Sequence, residues 1–182
     1  MKEVKFNDLT LQIHKINDLI NENIQIVINS NAFIKGNFVK QFEDNFKKYL
    51  NVKHAIGVSN GTDALLIAME SLKSTGDVLV QPTTYVASAS MIPRIGNEVK
   101  FIDVNRDTWQ ISTENISDKI TKNTAGLIGV HLYGFPFDVE NIFNLLDQKN
   151  IWMIEDSAQS HGAKINGKNT GTFGQIATYS FF

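Results

Sequence analysis

At 182 residues, with 42% hydrophobic and 20% charged side chains, the chain has the size of one ordinary domain and is neither disordered nor fibrous. A net charge of −2 gives no basic surplus for gripping a phosphate backbone, and no apolar run approaches the ~18 residues of a membrane span. Zero cysteines exclude disulfides, thiolate metal sites and cysteine nucleophiles, and the opening MKEVKFNDLT carries no apolar leader core, so a cytoplasmic protein is expected.

Leu9, Ile13, Ile16, Ile20, Ile24 and Val27 recur in steps of three and four, which predicts a first helix. Phe38, Phe42, Phe46 and Leu50 recur every four and predict a second, whose aromatic stripe reads as core. From His54 onward short apolar runs alternate with helical segments. Strands are expected at Ala55 to Val58, Val78 to Val80, Val99 to Val104, Leu127 to Leu132, Ile151 to Ile154 and Ile176 to Phe182. Helices are expected at Asp63 to Leu72, Val86 to Ile95, Glu114 to Ile120 and Asp138 to Lys149, the last with Asp138 as its N-cap. Runs such as AGLIGVHLY and IWMIED are apolar throughout, as in strands covered on both faces. The fold class is therefore α/β, a mostly parallel sheet flanked by helices. Asn166-Gly167 marks a two-residue hairpin. Because IATYSFF reads as an apolar strand at the very end, the 182 residues are expected to be part of a longer chain.

In open α/β sheets ligands bind beyond the carboxyl ends of the strands, so the residues after each strand carry the chemistry. Ser59-Asn60-Gly61-Thr62-Asp63 has the make-up of an anion cup, a flexible glycine followed by the free amides and positive dipole end of a helix. An ordinary capped strand-to-helix turn is the equal alternative. Glu155-Asp156 ends an apolar strand; since strand side chains alternate, only one of the two can enter a given pocket, and a buried carboxylate needs a partner. A cationic ring nitrogen would serve, and so would a structural ion pair or cap. Tyr85 has the shape to stack on a planar ligand, with ordinary packing as its alternative. His131, His161 and Asp156 have no metal-ligand spacing, so no metal site is expected, and no Gly-x-Ser-x-Gly elbow is present.

Seven segments in order, FIKGNFVKQFEDNF, SNGTDALLIAM, QPTTYVASAS, VKFIDVNRDTWQIS, VHLYGFPFDVENI, IEDSAQSHGAKINGKNTGTFG and IATYSFF, resemble the nucleotide-sugar aminotransferases of the DegT/DnrJ/EryC1/StrS family, pyridoxal-phosphate enzymes of the aspartate-aminotransferase fold. The resemblance implies that residues 1–182 are the N-terminal part of the cofactor-binding large domain, with the rest of that domain and a small C-terminal domain beyond it. It implies a phosphate cup at Gly61, Thr62 and Asp63 with the Ser180 hydroxyl, and Tyr85 stacked on the pyridine ring. It further implies Asp156 on the ring nitrogen and Gln159 on the ring hydroxyl. The expected reaction moves an amino group from glutamate to a keto sugar on a nucleoside diphosphate, in a homodimer whose interface includes the apolar first helix. Ser180-Phe181-Phe182 matches the first three positions of the family's Ser-Phe-x-Pro-x-Lys, so the Schiff-base lysine is expected beyond Phe182 and no catalytic residue within the chain. A sugar dehydratase of the same family, a non-catalytic remnant, and a nucleotide-binding oxidoreductase are the alternatives. The last lacks both Gly-x-Gly-x-x-G and an acidic residue after the next strand, where Gln81-Pro82 stands.

Overall fold

The computed structural model describes residues 4–182, in two compact units divided along the sequence after Tyr49. The first contains helix α1 (Thr10–Ser30) and all but the last residue of helix α2 (Asn37–Leu50). Both follow from their apolar periodicity, and α1 ends where Asn31 turns left-handed at φ 53°. The aromatic stripe of α2 does not form a core as expected. Phe38 and Phe42 are exposed, and no side chain from 4 to 49 is buried. The rings instead stack along the helix, Phe42 on Phe46 at 5.6 Å and Phe46 on Tyr49 at 6.2 Å. Two helices alone are too little structure to enclose an interior.

The second unit is the predicted α/β sheet. Its elements are α3 (Gly61–Leu72), β1 (Asp77–Val80), α4 (Val86–Ser90), β2 (Glu98–Phe101), α5 (Thr113–Ser117), β3 (Thr124–Val130), α6 (Val139–Asp147), β4 (Trp152–Asp156), β5 (Lys164–Ile165), β6 (Lys168–Asn169) and β7 (Ile176–Thr178). Five strands form one sheet in the order β2-β1-β3-β4-β7, every neighbouring pair parallel.

Period-two alternation splits the apolar side chains between two cores. Val78, Val80, Ile128, Val130, Trp152 and Ile154 meet Leu65 and Met69 of α3 and Ala87 of α4 on one face. Leu79, Leu127 and Met153 meet Ile116 of α5 and Ile142 and Leu146 of α6 on the other. Burial on both faces is why these strands read as unbroken apolar runs. Two glycines make room for rings: a Cβ on Gly126 would lie 2.2 Å from the Trp152 indole, and one on Gly129 would lie 2.3 Å from the Phe137 ring.

Several boundaries differ from expectation. Residues 55–58 lie outside the sheet, with Ile56 and Val58 exposed, because an apolar run becomes a strand only when a neighbour takes its backbone groups. The last predicted strand is shortened to Ile176–Thr178, since its partner β4 runs out at the pair Asp156–Thr178. The helix expected to reach Ile95 breaks after Ser90 into a 3-10 turn at Pro93–Ile95, because Pro93 has no N–H to continue it. Asp138 occupies the N-cap position of α6, but its carboxylate accepts from Asn141 Nδ2 rather than capping backbone amides. The Asn166-Gly167 hairpin is present, both residues at positive φ, joining β5 and β6.

Candidate active site

Because the strands are parallel, the turns after β1, β3, β4 and β7 leave the sheet along one edge, within the second unit. Gln81 to Tyr85, His131 to Gly134, Ser157 to Gly162 and Ser180 follow those four ends. The Gly61 turn joins them by another route. It follows no strand, but a Cβ on Gly61 would lie 3.1 Å from Ser180 Cβ and 3.5 Å from Ser180 Oγ, so the start of α3 sits against the Ser180 hydroxyl.

The start of α3 is shaped by Asn60, which the sequence reading left without a role. Asn60 is the N-cap, and its Oδ1 accepts from the Asp63 amide at 2.9 Å. The Asp63 carboxylate accepts in turn from Asn60 Nδ2 at 3.0 Å and from Ser59 Oγ. The resemblance implies the Thr62 and Asp63 amides as the backbone phosphate donors, and the second of these is thus already engaged. Gly61 and Thr62 carry first-turn amides, which have no acceptor inside the helix. An asparagine directly before a helical run is an N-cap signal, so this residue was findable.

The carboxylate pair at the end of β4 divides as the alternation requires. Glu155 points to the α5/α6 face and is fully buried. Its Oε1 accepts from the Phe173 amide at 2.7 Å and the Gly174 amide at 2.8 Å. Its Oε2 accepts from the Gly171 amide at 2.7 Å and lies 2.9 Å from His131 Nε2. His131, itself fully buried, stacks on Phe137 at 4.5 Å. Glu155 is therefore structural: it ties the loop before β7 to the end of β4.

Asp156 falls on the opposite face, with α3 and α4, and is 5% exposed. Its Oδ2 accepts from Ser88 Oγ at 2.8 Å and its Oδ1 from the Ala158 amide at 3.2 Å. Burial pushes the Asp156 carboxyl above the usual carboxylate range, and the Ser88 and Ala158 hydrogen bonds and the nearby His131 pull it back down. On the same face, in register with Asp156, Thr178 Oγ1 is buried and has no hydrogen-bond partner among the described residues.

The flanking positions complete the edge. Tyr85 is 71% exposed at the N-cap position of α4. Gln159 is exposed, and its Oε1 accepts from the Tyr133 amide at 2.8 Å. Tyr133 holds a left-handed conformation at φ 55°, uncommon for a bulky side chain. Tyr133 lies in the turn after β3, where strand-end position alone makes it a candidate, but no local pattern points to its bond with Gln159. His161 sits edge-on to Tyr179 at 5.3 Å and Phe181 at 4.8 Å, and burial lowers its imidazole pKa. Among the described residues no three metal-binding side chains cluster, and no helix is long and apolar enough to cross a membrane.

Pyridoxal phosphate fits this donor set. The Gly61–Ser180 contact closes a cradle that any side chain at 61 would fill, and a single desolvated carboxylate faces the α3/α4 side beside the orphaned Thr178 hydroxyl.

Comparison with known proteins agrees with the geometry. GDP-perosamine synthase of Escherichia coli O157:H7 is 45% identical over 150 residues, covering 81% of this chain and 41% of that protein. The solved structure of S. venezuelae DesV superposes with a TM-score of 0.94 at 30% identity, over 100% of this chain and 50% of DesV. The E. coli GDP-4-keto-6-deoxy-D-mannose-3-dehydratase solved with bound hydrated PLP gives a TM-score of 0.82 at 29% identity, over 99% and 46% of the two chains. The chain spans about half the length of the proteins it matches. With the family model matching residues 14–182, the chain belongs to the DegT/DnrJ/EryC1/StrS aminotransferase family.

Proposed function

We propose that these residues supply the cofactor seat in the large domain of a pyridoxal-phosphate-dependent aminotransferase, one that moves an amino group from glutamate to a keto sugar carried on a nucleoside diphosphate. The observation that carries the reading is Asp156, a buried carboxylate on the α3/α4 face at the carboxyl end of β4, with two donors among the described residues, Ser88 Oγ and the Ala158 amide. In this reading the amides of Gly61 and Thr62 and the Ser180 hydroxyl hold the phosphate, and Asp63, bonded to Ser59 and Asn60, keeps their turn in shape. Tyr85 covers one face of the ring. Gln159, its Oε1 spent on Tyr133, offers Nε2 to the ring hydroxyl.

When bound, pyridoxal phosphate supplies an electron sink for proton removal from an amino-bearing carbon. Asp156 holds the proton on the ring nitrogen that makes the sink effective, because a carboxylate in a low-dielectric site favours a cationic partner. Glu155 contributes rigidity: by pinning the Gly171 to Gly174 loop it fixes the start of β7 and so the path to Ser180. Transfer itself needs the family's lysine, which none of the 182 residues places at the matching motif position. We assign the protein to the cytoplasm and to a homodimer; the homodimer is supported by the exposed apolar residues Ile13, Ile16, Ile20 and Ile24 along α1.

Pyridoxal phosphate titrated into the chain should bind saturably, read by absorbance and by a rise in melting temperature, and Asp156→Ala should weaken it at least about tenfold. No binding and no stabilisation would sink the reading. The likeness to the dehydratase supports a second reading, dehydration of the same class of sugar. Mass analysis of the product made by the full-length protein with glutamate distinguishes a gained amino group from a lost hydroxyl.

A further inference from the structure

Asp156 is useful to a ring nitrogen only as a carboxylate, and its surroundings oppose that form, since burial is the largest influence on it. Ser88 supplies one of its two donors, from a position 68 residues earlier in sequence. Ser88 lies inside α4 and is fully buried. A helical serine ordinarily returns its proton to a carbonyl on the preceding turn. Here the proton goes instead to Asp156 Oδ2 at 2.8 Å. Ser88 has only one proton, so toward Thr84 Oγ1, at 2.9 Å, its oxygen is the acceptor and the Thr84 hydroxyl is the donor. Two hydroxyls thus line up, Thr84 to Ser88 to Asp156. The Ser88 amide also donates to the Tyr85 carbonyl at 3.1 Å, so the turn that presents Tyr85 is the turn that delivers Ser88.

We propose that Ser88, backed by Thr84, is a positioning residue that keeps Asp156 ionised and aimed toward the ring nitrogen of the cofactor; the aim, though not the ionisation, rests on the pyridoxal-phosphate reading above. Ser88 is fully buried and its hydroxyl oxygen lies within hydrogen-bond distance of both Asp156 and Thr84, so the hydroxyl is explained by those partners. The other ionisable groups near Asp156 are His131, whose backbone N–H donates to the Asp156 carbonyl at 3.1 Å, and Glu155, which faces away across the sheet. Neither is altered in the variants below.

The test follows the Asp156 carboxyl by carbon NMR through a pH titration of the chain without cofactor. Ser88→Ala should raise the midpoint by about one pH unit, Ser88→Thr should restore it, and Thr84→Val should raise it by a smaller amount. A Ser88→Ala titration that superimposes on that of the unsubstituted chain overturns the proposal. If Ser88→Ala does not fold, Thr84→Val reads the same line of hydroxyls one link further out, and an unmoved midpoint there overturns it equally. A parallel titration with pyridoxal phosphate should show binding weakened about tenfold in Ser88→Ala and recovered in Ser88→Thr. If Asp156→Ala binds the cofactor as tightly as the unsubstituted chain, the cofactor reading fails, while the carboxyl titration still decides the role of Ser88.

Discussion

The backbone N–H of Tyr133 donates to Gln159 Oε1 at 2.8 Å, and that bond fixes which end of the Gln159 amide remains available. Because the partner is a donor, the oxygen must face it, and Nε2 is left as the free donor. Gln159→Glu keeps an acceptor for Tyr133 but replaces the free donor with negative charge. The expected outcome is a melting temperature within a few degrees of the parent, as for an exposed substitution. Pyridoxal-phosphate affinity should fall about tenfold or more, because an anionic side chain would face the ring oxygen. Equal affinity would remove Gln159 from the site.

Gly61 and Ser180 meet more closely than a side chain at 61 allows. In Gly61→Ala the new Cβ, 3.1 Å from Ser180 Cβ, forces a shift of a few tenths of an ångström. Alanine is also the better helix former, by up to ~1 kcal/mol. The chain should therefore melt no lower than the parent yet bind pyridoxal phosphate several-fold more weakly. Parallel calorimetric melts and cofactor titrations separate the two effects, and a variant that loses stability but not affinity contradicts the assignment.

Gly126 is a packing requirement and not a site residue. Its would-be Cβ lies 2.2 Å from the Trp152 ring. That ring cannot swing aside cheaply, because Trp152 Nε1 donates to Ser74 Oγ at 2.7 Å. Gly126→Ala should cost about 3 kcal/mol by overpacking, measured by urea denaturation. Gly129→Ala, against Phe137, should cost a comparable amount.

Such details mark how far the sequence alone could be read. The βα rhythm, the parallel sheet and the sharing of Glu155 and Asp156 between two faces follow from periodicity and were legible before any coordinates. Residues 55–58 show the limit, because apolar character is local whereas a strand needs a neighbour, and neighbours are set by distant chain. The α2 stripe fails for the same reason: a pattern announces a face to be covered without saying what covers it. Within the site, Asn60 obeyed a local capping rule, but the pairing of Ser88 with Asp156 spans 68 residues and left no trace in either segment.

Glu155 makes the opposite bargain from Asp156, since three backbone amides and His131 saturate it. Glu155→Gln preserves shape but turns one oxygen into an N–H₂ that faces donors. Leaving buried amides without an acceptor should destabilise the chain by about 3 kcal/mol. The loop from Gly171 to Gly174 should lose amide-exchange protection first. Protection unchanged in that loop would show that Glu155 does not hold it.

For Asp156 the pH dependence runs against the usual carboxylate case. Burial raises its folded-state pKa above the unfolded value, so between the two values the folded chain binds more protons than the unfolded one. Its contribution to stability is therefore greatest below the unfolded pKa and is lost as pH rises through the folded pKa. Asp156→Asn removes that loss. The Ser88 hydroxyl can reverse, accepting from the new N–H₂, so the substitution need not strand a donor. At pH 7.5 the variant should be more stable than the parent, and the difference should shrink at pH 3.5, below the ordinary carboxylate value of about 3.9. Urea denaturation at the two pH values gives both numbers. The same variant should bind pyridoxal phosphate more weakly, because a neutral amide does not hold a protonated ring nitrogen. A variant less stable than the parent at pH 7.5 would mean that the Ser88 and Ala158 donors outweigh the burial they oppose, and that the carboxylate is at home in the fold without a cationic partner.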